Sequence, residues 1–211
     1  MSVPLVRTAA LPGGPVGHGY GAARSALLRA ALAAAGLDLG AGAGDVGLRR
    51  RCTTCGAADH GKPEVPAALA AGLHVSVAHT ATRLAVAVAG SPCGVDVEDV
   101  AAVARAPVAG VLLGPRERRR ERRPGGEPSA EGLARTWVRK EALLKATGHG
   151  LAVDPARIVL GPPDAPPRLR RWDGPGPAPR PAAWVEEVLD ADDAGAPVPH
   201  AVLTAVALRA P

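Results

Sequence analysis

Asp96 and Glu98 stand one residue apart in the β-branched run Gly94-Val95-Asp96-Val97-Glu98, and Glu141 lies between Lys140 and Lys145 in a second stretch, Trp137 to Leu151. In an extended strand, residues two apart share a face, roughly 6.5–7 Å from each other along the chain. Asp96 and Glu98 are therefore expected to point outward together, with Val95 and Val97 pointing in. Magnesium takes oxygen ligands, commonly one or two carboxylates with water and substrate phosphates. Three acids and two ammonium groups from separated segments suit a site for a divalent metal and a polyphosphate. Lysine usage sharpens this. Of 25 Lys and Arg residues only Lys62, Lys140 and Lys145 are lysines, and an ammonium is a compact point charge where a guanidinium is a planar fork.

The elements that must position these groups follow from periodicity. Trp137, Glu141 and Lys145 repeat every four residues, which places them along one side of a helix. An exposed Glu-Lys pair at that spacing contributes only ~0.2–0.5 kcal/mol. Trp137, however, marks this side as partly buried, and a carboxylate beside the packed stripe of Leu133 and Leu144 needs a partner. The helix is predicted from Ser129 to Thr147, with Ser129 as N-cap, Glu131 in the first turn and Gly148 as its stop. Upstream, Leu73 to His79, Arg83 to Ala89 and Cys93 to Glu98 read as a three-strand antiparallel meander. Ala22 to Leu37 reads as an amphipathic helix ended by Gly36. Residues 1–20 and the Pro/Gly-dense segment 161–181 read as irregular, Gly40 to Gly47 as a link and Gly61-Lys62-Pro63 as a tight loop. Ala183 to Leu189 and Ala201 to Leu208 are predicted strands joined by an acidic turn. The class is mixed α+β.

A chain of 211 residues with 47% hydrophobic content can bury a core and is not a disordered polymer. Aromatics are 2% and Phe is absent, so Ala, Val and Leu must fill that core. A net charge of +5 and a pI near 9.7 favour anionic partners. No uncharged apolar stretch reaches ~18 residues and the start has no apolar run of signal-peptide length. A cytoplasmic protein without a membrane partner is expected. Three cysteines do not make a disulfide framework.

Taken together, Gly94-Val-Asp-Val-Glu98 and Trp137-x-x-Lys140-Glu141-Ala-x-x-Lys145-x-x-Gly148-x-Gly150-Leu151 resemble the signature of the 4′-phosphopantetheinyl transferases, and the length resembles their larger, pseudodimeric (Sfp-type) class. The resemblance implies an α+β fold of two pseudo-symmetric halves, residues 1–100 and 101–211, with the active site between them. It implies Mg²⁺-dependent transfer of 4′-phosphopantetheine from coenzyme A to a serine of an acyl or peptidyl carrier protein, a holo-[acyl-carrier-protein] synthase type of activity that releases 3′,5′-ADP. Asp96, Glu98 and Glu141 would be the metal ligands, Glu141 also the general base, and Lys145 the cation at the transferred phosphorus. Lys140 points toward the other flank.

Further segments extend the likeness across roughly residues 20–151. Cys52-x-x-Cys55-Gly56 and His60-Gly61-Lys62-Pro63 resemble the family's loop at the adenine end of coenzyme A. Val77-Ala78-His79-Thr80 stands where relatives have Ile/Leu-Ser-His-Ser, making His79 the phosphate-contacting histidine, and Arg24-Ser25 resembles an Arg-Ser/Thr step near the nucleotide. His79, Lys62, Pro63, Arg24, Ser25 and Lys145 are then the implied coenzyme A-binding residues. Ala78 departs from the pattern and removes a hydroxyl donor.

Weaker signals leave alternatives open. Cys52, Cys55 and His60 offer half a zinc site, although two cysteines in a turn is the simpler reading. Arg116 to Arg123 is either a solvated basic segment or a docking surface for an acidic carrier. A non-catalytic coenzyme A binder is the alternative that Ala78 raises. A basic nucleic-acid-binding module is the other, and the scarcity of aromatics for base stacking counts against it. No nucleic-acid partner and a monomer are expected.

Overall fold

The structure, a computed structural model, describes residues 3–11, 19–40, 45–52, 55–58, 61–122, 128–191 and 197–209. The first half runs β1 (Leu5–Ala10), α1 (Tyr20–Ala34), β2 (Arg49–Arg51), β3 (Lys62–Glu64), α2 (Pro66–Ala70), β4 (His74–His79), β5 (Arg83–Ala89) and β6 (Cys93–Asp99). Then follow α3 (Val100–Arg105), α4 (Ala109–Leu112), α5 (Pro115–Glu121), α6 (Ala130–Thr147), β7 (Ile158–Leu160), β8 (Leu169–Trp172), β9 (Pro181–Ala191) and β10 (Pro197–Leu208).

Two three-stranded antiparallel sheets, β1-β5-β4 and β6-β10-β9, stack face to face between α1 and α6. Strand periodicity builds this sandwich. On β5, Val86 and Val88 face α1 and meet its Leu28, Ala31 and Leu32. The alternate residues Ala85 and Ala87 face the second sheet, where Val95, Val97, Leu203 and Ala205 close on them. Alanines and valines fill the inter-sheet layer, as the lack of aromatics requires. On the far side α6 lays Ala142, Leu143 and Ala146 against Val206 and Leu208, and Ala134 and Val138 against Val202.

Several expectations change. The β4–β5 hairpin forms, but β6 leaves the meander and pairs with β10, from Asp99↔Ala201 to Cys93↔Ala207. It remains tied to β4 by the Val95 N–H donating to Ser76 Oγ at 3.1 Å and by the Cys93 thiol donating to the His74 carbonyl at 3.4 Å. Leu5–Ala10, within the segment read as irregular, is an edge strand on β5. Lys62 and Pro63 lie on a strand paired with Arg49–Arg51 and not in a tight loop. The Pro/Gly-dense segment contains β8, paired with β7. Residues 101–122 resolve into three short helices. The acidic turn after β9, part of the Gly40–Gly47 link, His60 and Arg123 lie outside the described residues. No helix among the described residues is long and apolar enough to cross a membrane.

Candidate active site

Helix α6 begins and ends where its caps dictate. Ser129 Oγ accepts from the Gly132 N–H at 3.1 Å, and Gly148 takes φ +80° at the C-cap, a backbone region that costs Gly nothing. On β6 the two-residue period puts Gly94, Asp96 and Glu98 on the face beneath this helix. A Cβ at Gly94 would fall well inside contact distance of the Ala142 carbonyl and 2.6 Å from the Ala146 nitrogen. Strand and helix therefore meet backbone to backbone, which brings Asp96 under Lys145. Of the two acids expected to point outward, Asp96 is instead buried against α6, 6% exposed, and Glu98 is half-buried; Glu141, on α6 itself, is 8% exposed.

Lys145 Nζ donates to Asp96 Oδ1 at 2.6 Å and to the Val95 carbonyl at 3.2 Å. Asp96 Oδ2 and Glu141 Oε1 are buried with no hydrogen-bond partner. Unpaired buried carboxylate oxygens are costly, and the proton affinities show it. Burial, and then the Asp96 carboxylate, push Glu141 up to about 7 against the pull of Lys145. Burial and the neighbouring carboxylates of Asp96, Asp99 and Glu141 push Glu98 up to about 7. Burial also raises Asp96 despite its ion pair with Lys145. One ammonium does not balance three carboxylates. Among the described residues no three His, Cys, Asp or Glu side chains are arranged to hold a metal ion as they stand. The donor set still fits a hard divalent cation, with three oxygen-bearing side chains and two bare oxygens whose burial a cation would compensate.

Beside this cluster opens a cavity of about 470 Å³ lined by Arg50, Lys62, Pro63, Ser76, Lys145 and His149, among others. Lys62 Nζ donates to the Ala146 carbonyl at 3.0 Å, and burial lowers its pKa. Arg50 Nη1 donates to the Gly61 carbonyl at 3.2 Å, and Gly61, at φ +99°, packs too tightly on the Arg51 backbone to admit a side chain. Cys52 and Cys55 line the same cavity from a turn closed by Gly56 N–H to Cys52 O and Cys52 N–H to Ala57 O, each 2.9 Å.

The remaining implied residues group elsewhere. His79 sits exposed at the end of β4, its ring edge-on to Tyr20 at 5.3 Å, and the Arg24 guanidinium lies 5.6 Å from the same Tyr20 ring. Burial, with Lys145 and Arg50 nearby, lowers the His79 pKa. Arg24 shares a separate cleft with Arg49 and Arg50. Ser25 is buried and turned toward Asp45, Oγ to Oδ1 at 3.4 Å. Ala78 points into the inter-sheet layer and does not line the cavity.

Lys140 does face the other flank. It is fully buried, its Nζ donating to Glu117 Oε2 and the Leu112 carbonyl at 2.6 Å each, and to the Pro155 carbonyl at 3.0 Å. Glu117 also accepts from the Gly114 and Leu160 N–H groups. The acid hidden inside the arginine run thus anchors α5 to α6, while Arg116, Arg118, Arg119 and Arg122 stay exposed. Tyr20, His149 and Glu117 are given no role by the sequence, and Gly94 enters there only as the first residue of the Gly94–Glu98 run. Gly94 carried a signal, two residues before Asp96 on the same strand face.

No curated protein matches the chain. A family model described as the 4′-phosphopantetheinyl transferase superfamily matches residues 92–200, from the start of β6 into β10. The match contains Asp96, Glu98, Glu141 and Lys145 and covers more than half of the 211 residues. The chain belongs to the 4′-phosphopantetheinyl transferase superfamily.

Proposed function

We propose that this protein transfers 4′-phosphopantetheine from coenzyme A to a serine hydroxyl of an acyl or peptidyl carrier protein, releasing 3′,5′-ADP. The observation that carries the reading is the 2.6 Å contact of Lys145 with Asp96 beside Glu141, at the edge of a cavity that Lys62 and Arg50 make cationic. The ammonium and guanidinium groups hold the phosphates of coenzyme A, with Arg24 at the neighbouring cleft and His79 across the Tyr20 ring from it. Glu141, beside Asp96 and Lys145, takes the serine proton directly or through a water. The serine Oγ forms a bond to the phosphorus that carries pantetheine. The P–O bond to the adenosine bisphosphate breaks, and its electron pair leaves on that bisphosphate. Lys145 balances charge on the oxygens around the transferred phosphorus. Asp96, Glu98 and Glu141 would hold Mg²⁺, which when bound neutralises charge on the pyrophosphate.

The stack of two sheets between two helices supports the larger, two-halved class, residues 1–100 and 101–211, with β6 crossing to the sheet of the second half. We further propose a cytoplasmic monomer with no nucleic-acid partner. The test is intact mass of a panel of apo carrier proteins after incubation with coenzyme A and Mg²⁺. Modification of at least one carrier supports the reading. Coenzyme A binding with no carrier modified would replace it with the non-catalytic binder.

A further inference from the structure

His149 lies between Gly148 and Gly150, immediately after α6, and lines the same cavity as Lys62 and Lys145. Its ring rests against the Trp172 indole, with centroids 5.8 Å apart and planes inclined at 54°. Trp172 comes from β8, in the segment that the sequence presented as loop. The indole is itself fixed: its Nε1 donates to the Pro175 carbonyl at 3.3 Å, and it packs so closely over Gly174 that a Cβ there would lie 2.5 Å from Cζ2. A rigid support therefore sets the orientation of a cavity-lining imidazole.

The two ring nitrogens differ in surroundings. His149 Nδ1 is buried with no hydrogen-bond partner. A neutral imidazole carries one N–H and one bare nitrogen. Burying an N–H without an acceptor costs its full desolvation penalty, and among buried backbone groups orphaned N–H donors are rarer than under-satisfied carbonyl acceptors. The bare nitrogen therefore belongs at Nδ1 and the proton at Nε2, on the opposite edge of the ring.

We propose that His149 is a ligand-contacting residue of the cavity, donating its Nε2–H to a phosphate oxygen of coenzyme A, with Trp172 as the residue that positions it. This rests on the transferase reading and adds a contact at a position the family signature leaves open.

The test is calorimetric binding of coenzyme A and of 3′,5′-ADP to the full chain, alongside steady-state KM for coenzyme A and for the carrier. The variants are His149→Gln, His149→Asn and Trp172→Leu. A glutamine amide can reach the place of Nε2, whereas an asparagine amide reaches only that of Nδ1. His149→Asn should weaken both nucleotides about 10-fold or more, the scale of losing a hydrogen bond to a charged group. His149→Gln should recover most of that affinity, Trp172→Leu should weaken binding in part, and the carrier KM should stay unchanged in all three. Wild-type affinity in His149→Asn overturns the inference while leaving the transferase reading standing. Equal loss in the Gln and Asn variants overturns the assignment of the donor to Nε2. No binding of coenzyme A by the wild type overturns the transferase reading, and this inference with it.

Discussion

Gly94 lies directly beneath the Ala142 carbonyl, with no room between them for even a methyl group. That backbone contact sets the height of α6 over β6, and so the 2.6 Å reach of Lys145 to Asp96. Gly94→Ala must push strand and helix apart. Overpacking of this kind costs about 1–3 kcal/mol, so the urea midpoint should fall, and turnover should fall with it because Lys145 and Asp96 separate. Gly110→Ala is the control, since nothing lies within 4 Å of its would-be Cβ in α4. It should be neutral or stabilise by up to about 1 kcal/mol. An active, stable Gly94→Ala protein would contradict the role given to this contact.

Lys140 and Glu117 form a fully buried ion pair. Removing one partner of such a pair costs about 3–5 kcal/mol, so Lys140→Met should lower the unfolding free energy by that order in urea titration. Where the variant remains folded, KM for coenzyme A should match the wild type, because Lys140 does not line the cavity. Unchanged stability with lost turnover would place Lys140 in the reaction.

The proton affinities of Glu98 and Glu141 give a pH dependence of definite sign. Both carboxyls are raised from 4.5 to about 7 in the folded protein. Their contribution to stability is fully present below about 4.5 and is lost as pH rises through about 7. In EDTA the Tm should therefore fall between these limits, and Glu98→Gln or Glu141→Gln should flatten the fall. Added Mg²⁺ should raise the wild-type Tm above pH 7, since a ligand bound only by the native state stabilises it, and should do less for either variant. A Tm that climbs over the same window in EDTA would contradict the crowding of these acids.

How far the sequence spoke for itself depended on distance along the chain. The caps Ser129 and Gly148 are local chemistry, and both lie where residue type alone put them. The helix period put Glu141 and Lys145 on one face, whereas only the resemblance to the transferase signature joined them to Asp96 on a separate strand. The pairing of β6 with β10 joins residues about a hundred positions apart, and no local pattern in Gly94–Asp99 distinguishes that partner from β5. Strand β1 has only six residues and shows its register only against β5. Glu117 was hidden because a charged run reads as solvated, yet Glu117 and Glu121 recur at helical spacing and both are buried.

The exposed arginines of α5 should act on the protein partner alone. Arg118 and Arg120 are excluded, since their Nη1 atoms donate to the Gly110 and Leu160 carbonyls at 3.3 and 2.8 Å. Changing Arg116, Arg119 and Arg122 to Ser should raise the KM for the carrier and flatten its salt dependence, because exposed charges are screened beyond ~8–10 Å. The KM for coenzyme A and the saturated rate should remain near wild type. A rise in the coenzyme A KM alone would assign the run to the nucleotide.

Counting both products of one reaction distinguishes group transfer from coenzyme A binding alone. Wild-type protein, coenzyme A, Mg²⁺ and a susceptible apo carrier should yield phosphopantetheinylated carrier and 3′,5′-ADP in equal amounts, read by intact mass and chromatography. Asp96→Ala and Glu141→Ala should each reduce both products together by about 10²-fold or more, the scale of losing a positioned ligand or base. Full turnover by Asp96→Ala in excess EDTA, or carrier modification without 3′,5′-ADP, would contradict the account.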